Sequence, residues 1–339
     1  MQKNFLSLFK HNTIVPIPTQ FNKDLTINFK SIKSHINHLI KKKVTLFYLG
    51  QSASELERMS SFERIKLAKY VSKIIRPKAK LILQPLGFTS MDDQILEANR
   101  LEKIGCDFMV VEPVHIKGKQ YFYSTPFKNS EYSPSRHDDY YIDYMRVFSQ
   151  KTKTPILFHL KEFSIGKTLS ERALDKIFDI KKIIGLKEHN NSIKIRNKHY
   201  TRYGLNKKMI CYDGFSKEDF LISSKYGAKC RHSNFSWFDS DWDKLFIKII
   251  KEKKNALARE MTVIENDIKK AIILTGYAGY KYLIKLAKLT NLDGYVRMPG
   301  CNLNTSQKKI LLKAYKKLIK KNFTLLEKII FNENKNIKY

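Results

Sequence analysis

Two residues in this sequence stand where chemistry is easiest to arrange: a lysine closing the apolar run IIGLK at 183–187, and a histidine near the end of PILFHL at 155–160. An amine at the end of a buried strand meets little water. Desolvation and nearby positive charge disfavour its ammonium form and free it to attack a carbonyl. Imidazole titrates near neutrality, so His159 can donate or accept a proton within hydrogen-bond reach. Other polar residues end further apolar runs: Thr19 beside Pro18 and Gln20, Ser52 and Ala53 in GQSASE, Glu112 and His115 in VVEPVH, and Asn234 after KCRHS. Spacing alone leaves a plainer reading open for each, such as an exposed strand-end lysine or a structural histidine satisfied by its neighbours. Glu112 and the two histidines are also types that a divalent metal accepts. Amine chemistry needs no metal, because a protonated imine is itself the electron sink, so the site is expected to hold neither metal nor cofactor.

The elements that must position these residues alternate. Short apolar runs occur at TIVPI (13–17), VTLFYL (44–49), LILQPLG (81–87), FMVVEP (108–113), PILFHL (155–160), IIGLKE (183–188), MICYDG (209–214) and KCRHSN (229–234). Between them lie segments of helical periodicity, as at 27–39, 61–75, 91–104, 139–149 and 217–226. Ser60 or Ser61 offers an N-cap for the second of these, and Gly105 a C-cap for the third. Alternating strand and helix signals imply a parallel sheet, and almost wholly apolar strands imply burial on both faces. Eight such units predict closure into a (β/α)₈ TIM barrel, whose chemistry sits at the C-terminal ends of the strands. No GxGxxG follows the first strand, which weakens a dinucleotide-binding reading. The barrel is expected over 1–240, with a C-terminal extension of three helices over 241–339 packed on it.

Composition excludes several classes. The 339 residues are 42% hydrophobic, enough for a packed core. No apolar run reaches the roughly 18 residues of a membrane span, and MQKNFLSLFK lacks the sustained apolar stretch of a secretory signal. Cys106, Cys211, Cys230 and Cys301 lie far apart with no metal-site spacing, which points to free thiols in a cytoplasmic protein. The formal charge of +32 is mostly lysine spread along the chain. The clusters at 41–43, 181–182 and 316–321 read as solvated helix faces, not as a nucleic-acid site. The aromatic stretch from Lys117 to Tyr141 reads as a lid, a subunit contact or a packing insertion, with no repeated module to support base stacking.

Set side by side, these motifs resemble the dihydrodipicolinate synthase and N-acetylneuraminate lyase superfamily from about Thr13 to Leu318. IPTQF at 17–21 resembles that family's first strand end. LGQSASELERMSSFER at 49–64 resembles its Gly-Thr-Thr-Gly-Glu loop and the Leu-Ser-x-x-Glu-Arg after it. VVEPVH, IIGLKEHN, GAKCRHSNF and VRMPG resemble later motifs in the correct order. The resemblance implies that Lys187 forms a Schiff base with pyruvate or a related 2-oxo acid. Ser52 stands where a loop threonine holds the substrate carboxylate or relays protons. Ala53 replaces a second threonine, so only its backbone N–H could serve that carboxylate. Ser54 replaces the loop glycine, and Glu55 matches the glutamate. His159 replaces the catalytic tyrosine that shuttles protons while the imine forms and later at the substrate. His115 replaces a tyrosine that reaches toward a neighbouring subunit, and the arginine some members carry after strand five is absent. Thr19 and Asn234 are expected to line the substrate site.

The activity implied is a class I lyase or aldolase making or breaking a C–C bond, with an aldehyde or modified sugar acid as second substrate. A keto-deoxy sugar acid dehydratase and a barrel that has lost catalysis remain alternatives, and a homo-oligomer, tetramer or dimer, is implied.

Overall fold

Each apolar run marked by the sequence pairs in parallel with the next. The strands are β1 (Asn12–Pro16), β2 (Leu46–Leu49), β3 (Lys80–Leu83), β4 (Phe108–Val111), β5 (Ile156–Leu160), β6 (Ile183–Glu188), β7 (Ile210–Asp213) and β8 (Cys230–His232). They follow one another in chain order, and β8 returns to β1 to close the barrel. The computed structural model describes residues 2–86, 90–113, 134–161, 169–214 and 216–336. His115 and positions 117–133 of the aromatic stretch fall outside them. The helices are α1 (Gln2–Phe9), α2 (Phe29–Lys41), α3 (Ser61–Ile75), α4 (Met91–Ile104), α5 (Pro134–Lys151), α6 (Glu171–Phe178), α7 (Ile193–His199), α8 (Lys217–Ser223), α9 (Ser240–Lys251), α10 (Asn255–Ile264), α11 (Asn266–Leu286) and α12 (Thr305–Asn336). The chain divides into two compact units, residues 1–16 with 45–232, and residues 17–44 with 233–339.

The first unit holds the whole barrel. Its interior is filled by Ile14, Leu46, Ile82, Phe108, Val110, Leu157, Ile184, Ile210 and Cys230, all buried, so the barrel is packed and not a pore. Helix α1, which no sequence pattern marks, closes the end where the strands begin. Phe5 and Phe9 each meet the ring of Phe108, the first residue of β4, edge to face at 5.1 Å. With one end sealed by aromatic rings, polar groups can collect only at the other. The outer helices begin as predicted. Ser60 caps α3 in a reciprocal box with Glu63, and Gly105 ends α4 at φ 97°.

Strand β6 carries an irregularity that matters for the site. Ile156 pairs with Ile183, but Leu157 pairs with Gly185, so Ile184 is one residue too many. Such a bulge resets the alternation of side chains. Ile184 and position 185 therefore both turn to the interior, and position 187 follows position 185. Gly185 permits this because a Cβ there would lie 2.2 Å from the Ile210 carbonyl oxygen and 2.8 Å from Leu157.

The second unit gathers α2 with the C-terminal segments. His35 Nε2 lies 2.7 Å from the Trp237 carbonyl, and Ser31 meets Thr290 at 2.8 Å. The VRMPG motif ties this unit internally: Arg297 donates to the Leu25 carbonyl at 3.1 and 3.0 Å and lies over the Phe21 ring. Among the described residues the C-terminal region holds α9 to α12, with α11 itself broken at Gly276 (φ 56°, ψ −145°), which is more helical segments than the three read from the sequence. The break after α9 uses Lys253 at φ 58°, and α10 passes to α11 through Glu265, so neither carries the glycine or proline that would announce it. On α12, Leu311, Ala314 and Leu318 are buried while Lys316, Lys317 and Lys320 are exposed, as a solvated lysine face requires.

A Gly185→Ala substitution tests the bulge. It is expected to cost about 1–3 kcal/mol, the usual range for overpacking a filled interior, read as a lower denaturation midpoint. Unchanged stability would mean that β6 accommodates a side chain there.

Candidate active site

Period two along a strand carries each interior side chain to another two residues on. From Leu46 that step reaches Tyr48, from Ile82 Gln84, from Val110 Glu112, from Leu157 His159, from Gly185 Lys187, from Ile210 Tyr212 and from Cys230 His232. The apolar interior thus ends in one polar ring at the C-terminal ends of the strands, where barrels of this kind hold their chemistry. Within it, Lys187 is paired in register with His159 on β5 and Tyr212 on β7.

Lys187 is only 5% exposed. Its Nζ donates to the Tyr48 hydroxyl at 3.3 Å and lies 4.7 Å from the centre of that ring. The Tyr48 hydroxyl in turn donates to the Gln84 side-chain oxygen, which also accepts the Gln51 amide at 3.0 Å. Gly50 makes room for this arrangement, since a Cβ there would lie 1.9 Å from the Tyr48 ring. Burial brings the Lys187 amine down to about 7; the Glu112 carboxylate opposes that fall, and Lys161 adds to it. A substantial neutral fraction at physiological pH makes it a nucleophile.

The imidazoles beside it stay neutral for the same reason. Burial first, then the Lys187 charge, lowers His159 to about 4, against the pull of Glu112. Burial also holds His189 and His232 well below their ordinary value. His159 Nε2 is 3.0 Å from His189 Nδ1, and its Nδ1 is 3.1 Å from a Glu112 oxygen. That second contact is an ion-pair distance out of hydrogen-bonding alignment. Lys161 Nζ stands 3.5 Å from the other Glu112 oxygen. A neutral imidazole with one lone pair can take a proton, and its carboxylate neighbour favours the cation that results. Gly214 leaves space for His189, whose ring a Cβ would meet at 2.4 Å.

Buried hydrogen bonds fix the strand ends that carry this ring. Gln94 on α4 donates to the Glu112 carbonyl at 2.8 Å and accepts from the Tyr144 hydroxyl at 2.6 Å. Beyond Lys187, Glu188 faces outward, where it accepts the Asn190 amide at 2.8 Å and lies 2.5 Å from His199 Nδ1. Arg196 then binds the Asn190 carbonyl at 2.7 Å and Asp219 at 2.6 Å. Removing one partner from such a network leaves a buried group unpaired, a loss of about 1–3 kcal/mol.

The structure therefore brings together Lys187 and His159, as the sequence predicts, and adds Glu112 to them. Ser52 and Ala53 lie on the loop after Gly50, held by Leu56 N to Gln51 O at 2.8 Å and by Ser54 Oγ accepting the Gly50 amide at 3.2 Å. Neither the Ser52 nor the Ala53 amide meets an acceptor among the described residues, so both N–H groups are available to a carboxylate. Ser54 replaces the family glycine by turning its hydroxyl into the loop, and Glu55 pairs with Arg58 at 2.9 Å. Thr19 and Asn234 belong to the second unit. Thr19 is fully buried there, and Asn234 opens a short helical turn, accepting the Trp237 amide at 3.1 Å. His115 is outside the described residues. No group of three metal-ligating side chains forms among the described residues.

Sequence reasoning missed Tyr48, Gln84, His189 and His232. Tyr48 reads as one more core aromatic in VTLFYL, and only the period-two step from Leu46 marks it as a ring residue.

Because the neutral amine is the nucleophile, imine formation with a 2-oxo acid is expected to rise with pH through about 7 and to level off above. An unperturbed lysine would keep rising toward pH 10. Replacing Glu112 by Gln removes an anion that favours the ammonium, so the midpoint should move lower. Timed quenching into borohydride across pH measures both.

The sequence profile of the Dihydrodipicolinate synthetase family matches residues 10–318. The chain is 23% identical over 302 residues to the 2-dehydro-3-deoxy-phosphogluconate/2-dehydro-3-deoxy-6-phosphogalactonate aldolase of Saccharolobus solfataricus, covering 88% of this chain and 93% of that protein. A similarity of 24% to a probable 2-dehydro-3-deoxy-D-pentonate aldolase of Escherichia coli (strain K12) covers 53% of this chain and only 54% of that one. The crystal structure of the Fusobacterium nucleatum N-acetylneuraminate lyase complexed with pyruvate shares the fold, with a TM-score of 0.77 at 18% identity over 91% of this chain and 97% of that one. With nearly the whole chain matched, and a buried lysine near the end of the sixth strand of its closed barrel, this protein belongs to the Dihydrodipicolinate synthetase family.

Proposed function

We propose that the protein is a Schiff-base lyase in which Lys187 condenses with pyruvate, or forms the same imine with a 2-dehydro-3-deoxy sugar acid and cleaves it to pyruvate and an aldehyde. The observation that carries the reading is the state of Lys187: buried, lowered to about 7 and held against a phenol within a ring of proton carriers. An amine in water at that pH is almost wholly protonated and inert. Once the imine forms, its nitrogen withdraws the electron pair released when the C3–C4 bond breaks, giving an enamine of pyruvate. His159 stands beside Lys187 to take the proton from the C4 hydroxyl, with Glu112 favouring the imidazolium so formed. The Ser52 and Ala53 amides suit the substrate carboxylate.

The sugar-acid substrates of relatives support this choice, as does a ring whose described members are mostly neutral hydrogen-bonding groups suited to a hydroxylated chain. The reading includes a homo-oligomer in the cytoplasm. Free thiols at all four cysteines support the compartment, and exposed Ile273, Leu274 and Met298 support self-association.

Borohydride reduction in the presence of pyruvate, followed by intact mass and peptide mapping, is expected to place one reduced adduct on Lys187. Lys187→Ala should abolish both the adduct and aldol cleavage. An adduct confined to another lysine, or none with a panel of 2-oxo acids, would sink the assignment.

A further inference from the structure

Imine formation and C–C cleavage need protons at different atoms. The first moves a proton from the attacking nitrogen to the departing carbonyl oxygen. The second moves one at the substrate's hydroxyl and at the enamine carbon. The family's strand-five tyrosine serves both, and here that position holds His159. The structure, however, sets a different phenol on the reacting nitrogen, from the opposite side of the barrel: Tyr48 of β2, with its oxygen 3.3 Å from Lys187 Nζ.

We propose that Tyr48 is the catalytic acid–base of imine formation, and that His159, with Glu112 and His189, serves the later steps at the substrate's carbon and hydroxyl. The assignment rests on the Schiff-base reading of Lys187. Geometry separates the two roles. The Tyr48 hydroxyl donates to Gln84, and Gln84 is fixed by the Gln51 amide, so a phenol lone pair faces Nζ and accepts its N–H. The two nitrogens of His159 face His189 and Glu112 instead. Gly50 and Tyr48 make a paired requirement, since any side chain at 50 would occupy the space of the ring.

The step balances as follows. The Nζ–C2 bond forms while the C2=O π pair moves onto oxygen. The nitrogen, now carrying positive charge, gives a proton to the Tyr48 lone pair that faces it, and the phenol's own proton turns from Gln84 to the substrate oxygen, leaving a neutral carbinolamine. In dehydration the phenol protonates the hydroxyl, the C–O bond breaks, water leaves, and the nitrogen lone pair closes the iminium. A solvent proton then restores the phenol.

The test reads the two steps apart in the full-length protein with pyruvate alone. Imine formation is timed by quenching into borohydride. Enamine formation is read as exchange of the pyruvate methyl protons for deuterium, divided by the amount of adduct present. Tyr48→Phe keeps the ring that packs in the barrel, and is expected to slow imine formation by about 10²-fold, a typical contribution of one acid–base group, with exchange per adduct unchanged. His159→Asn should do the reverse. Gln84→Leu, which releases the phenol without removing it, should slow imine formation by less than Tyr48→Phe. A purely structural Tyr48 would slow both steps together and lower the denaturation midpoint. Wild-type imine formation in Tyr48→Phe, or a larger loss in Tyr212→Phe than in Tyr48→Phe, overturns the assignment alone. Absence of any adduct in the wild type overturns the Schiff-base reading beneath it, and this assignment falls with it.

Discussion

A charged amine is costly to bury, and the site is organised around that cost. Lys187 sits where the apolar interior of the barrel gives way to polar side chains, with too little water to keep it wholly ammonium at neutral pH. Burial lowers the lysine and the imidazoles alike, and the Lys187 charge adds to that at each imidazole, so His159, His189 and His232 stay uncharged beside it. Glu112 alone among the described ring residues pulls the other way. It stands between His159 and Lys161, 3.1 and 3.5 Å from them.

That placement depends on backbone features well away from the amine. In unbroken alternation from Ile184, position 187 would turn outward and Glu188 inward. The extra residue in β6 reverses this, putting Lys187 inside and leaving Glu188 to pair with His199 behind the strand. Gly185 is the residue that lets the bulge close against β7. The aromatic seal at the opposite end, built from α1 and Phe108, leaves the mouth as the one end of the barrel where polar side chains gather.

Much of this was legible in the sequence. Apolar runs separated by amphipathic segments are the direct signature of strands buried on both faces, and all eight lie where they were read. Lys187 and His159 stood out because a charged or titratable group at the end of such a run has few bland explanations. Tyr48 did not, because a tyrosine in an apolar strand reads as core, and its hydroxyl has a role only once β2 and β6 face each other across the closed barrel. His189 and His232 were hidden similarly: one lies past the strand, the other in a three-residue strand whose phase its own sequence leaves ambiguous. The helix count in the C-terminal region failed for a local reason, since Lys253 takes the left-handed conformation without a glycine to mark it.

The exchange of tyrosine for histidine on β5 has a consequence for charge. A phenol there would be neutral whatever the state of the lysine. An imidazole is a usable base only if it is not protonated beforehand, and here burial first, then the lysine's charge, keeps it neutral. The protonated imine on Lys187 carries the same positive charge as the ammonium for as long as its nitrogen keeps its proton. In the proposed reaction the protonated imine would add its charge to burial in keeping His159 basic when a proton is taken from the substrate, and Glu112 would favour the imidazolium once it has been taken. The same logic disfavours His159 as the relay for imine formation itself, when the amine is still shedding charge and the base strength of its neighbour varies with it. A phenol locked onto Gln84 is insensitive to that variation. Dividing the two duties between β2 and β5 follows from placing an imidazole next to a lysine whose charge changes during the reaction.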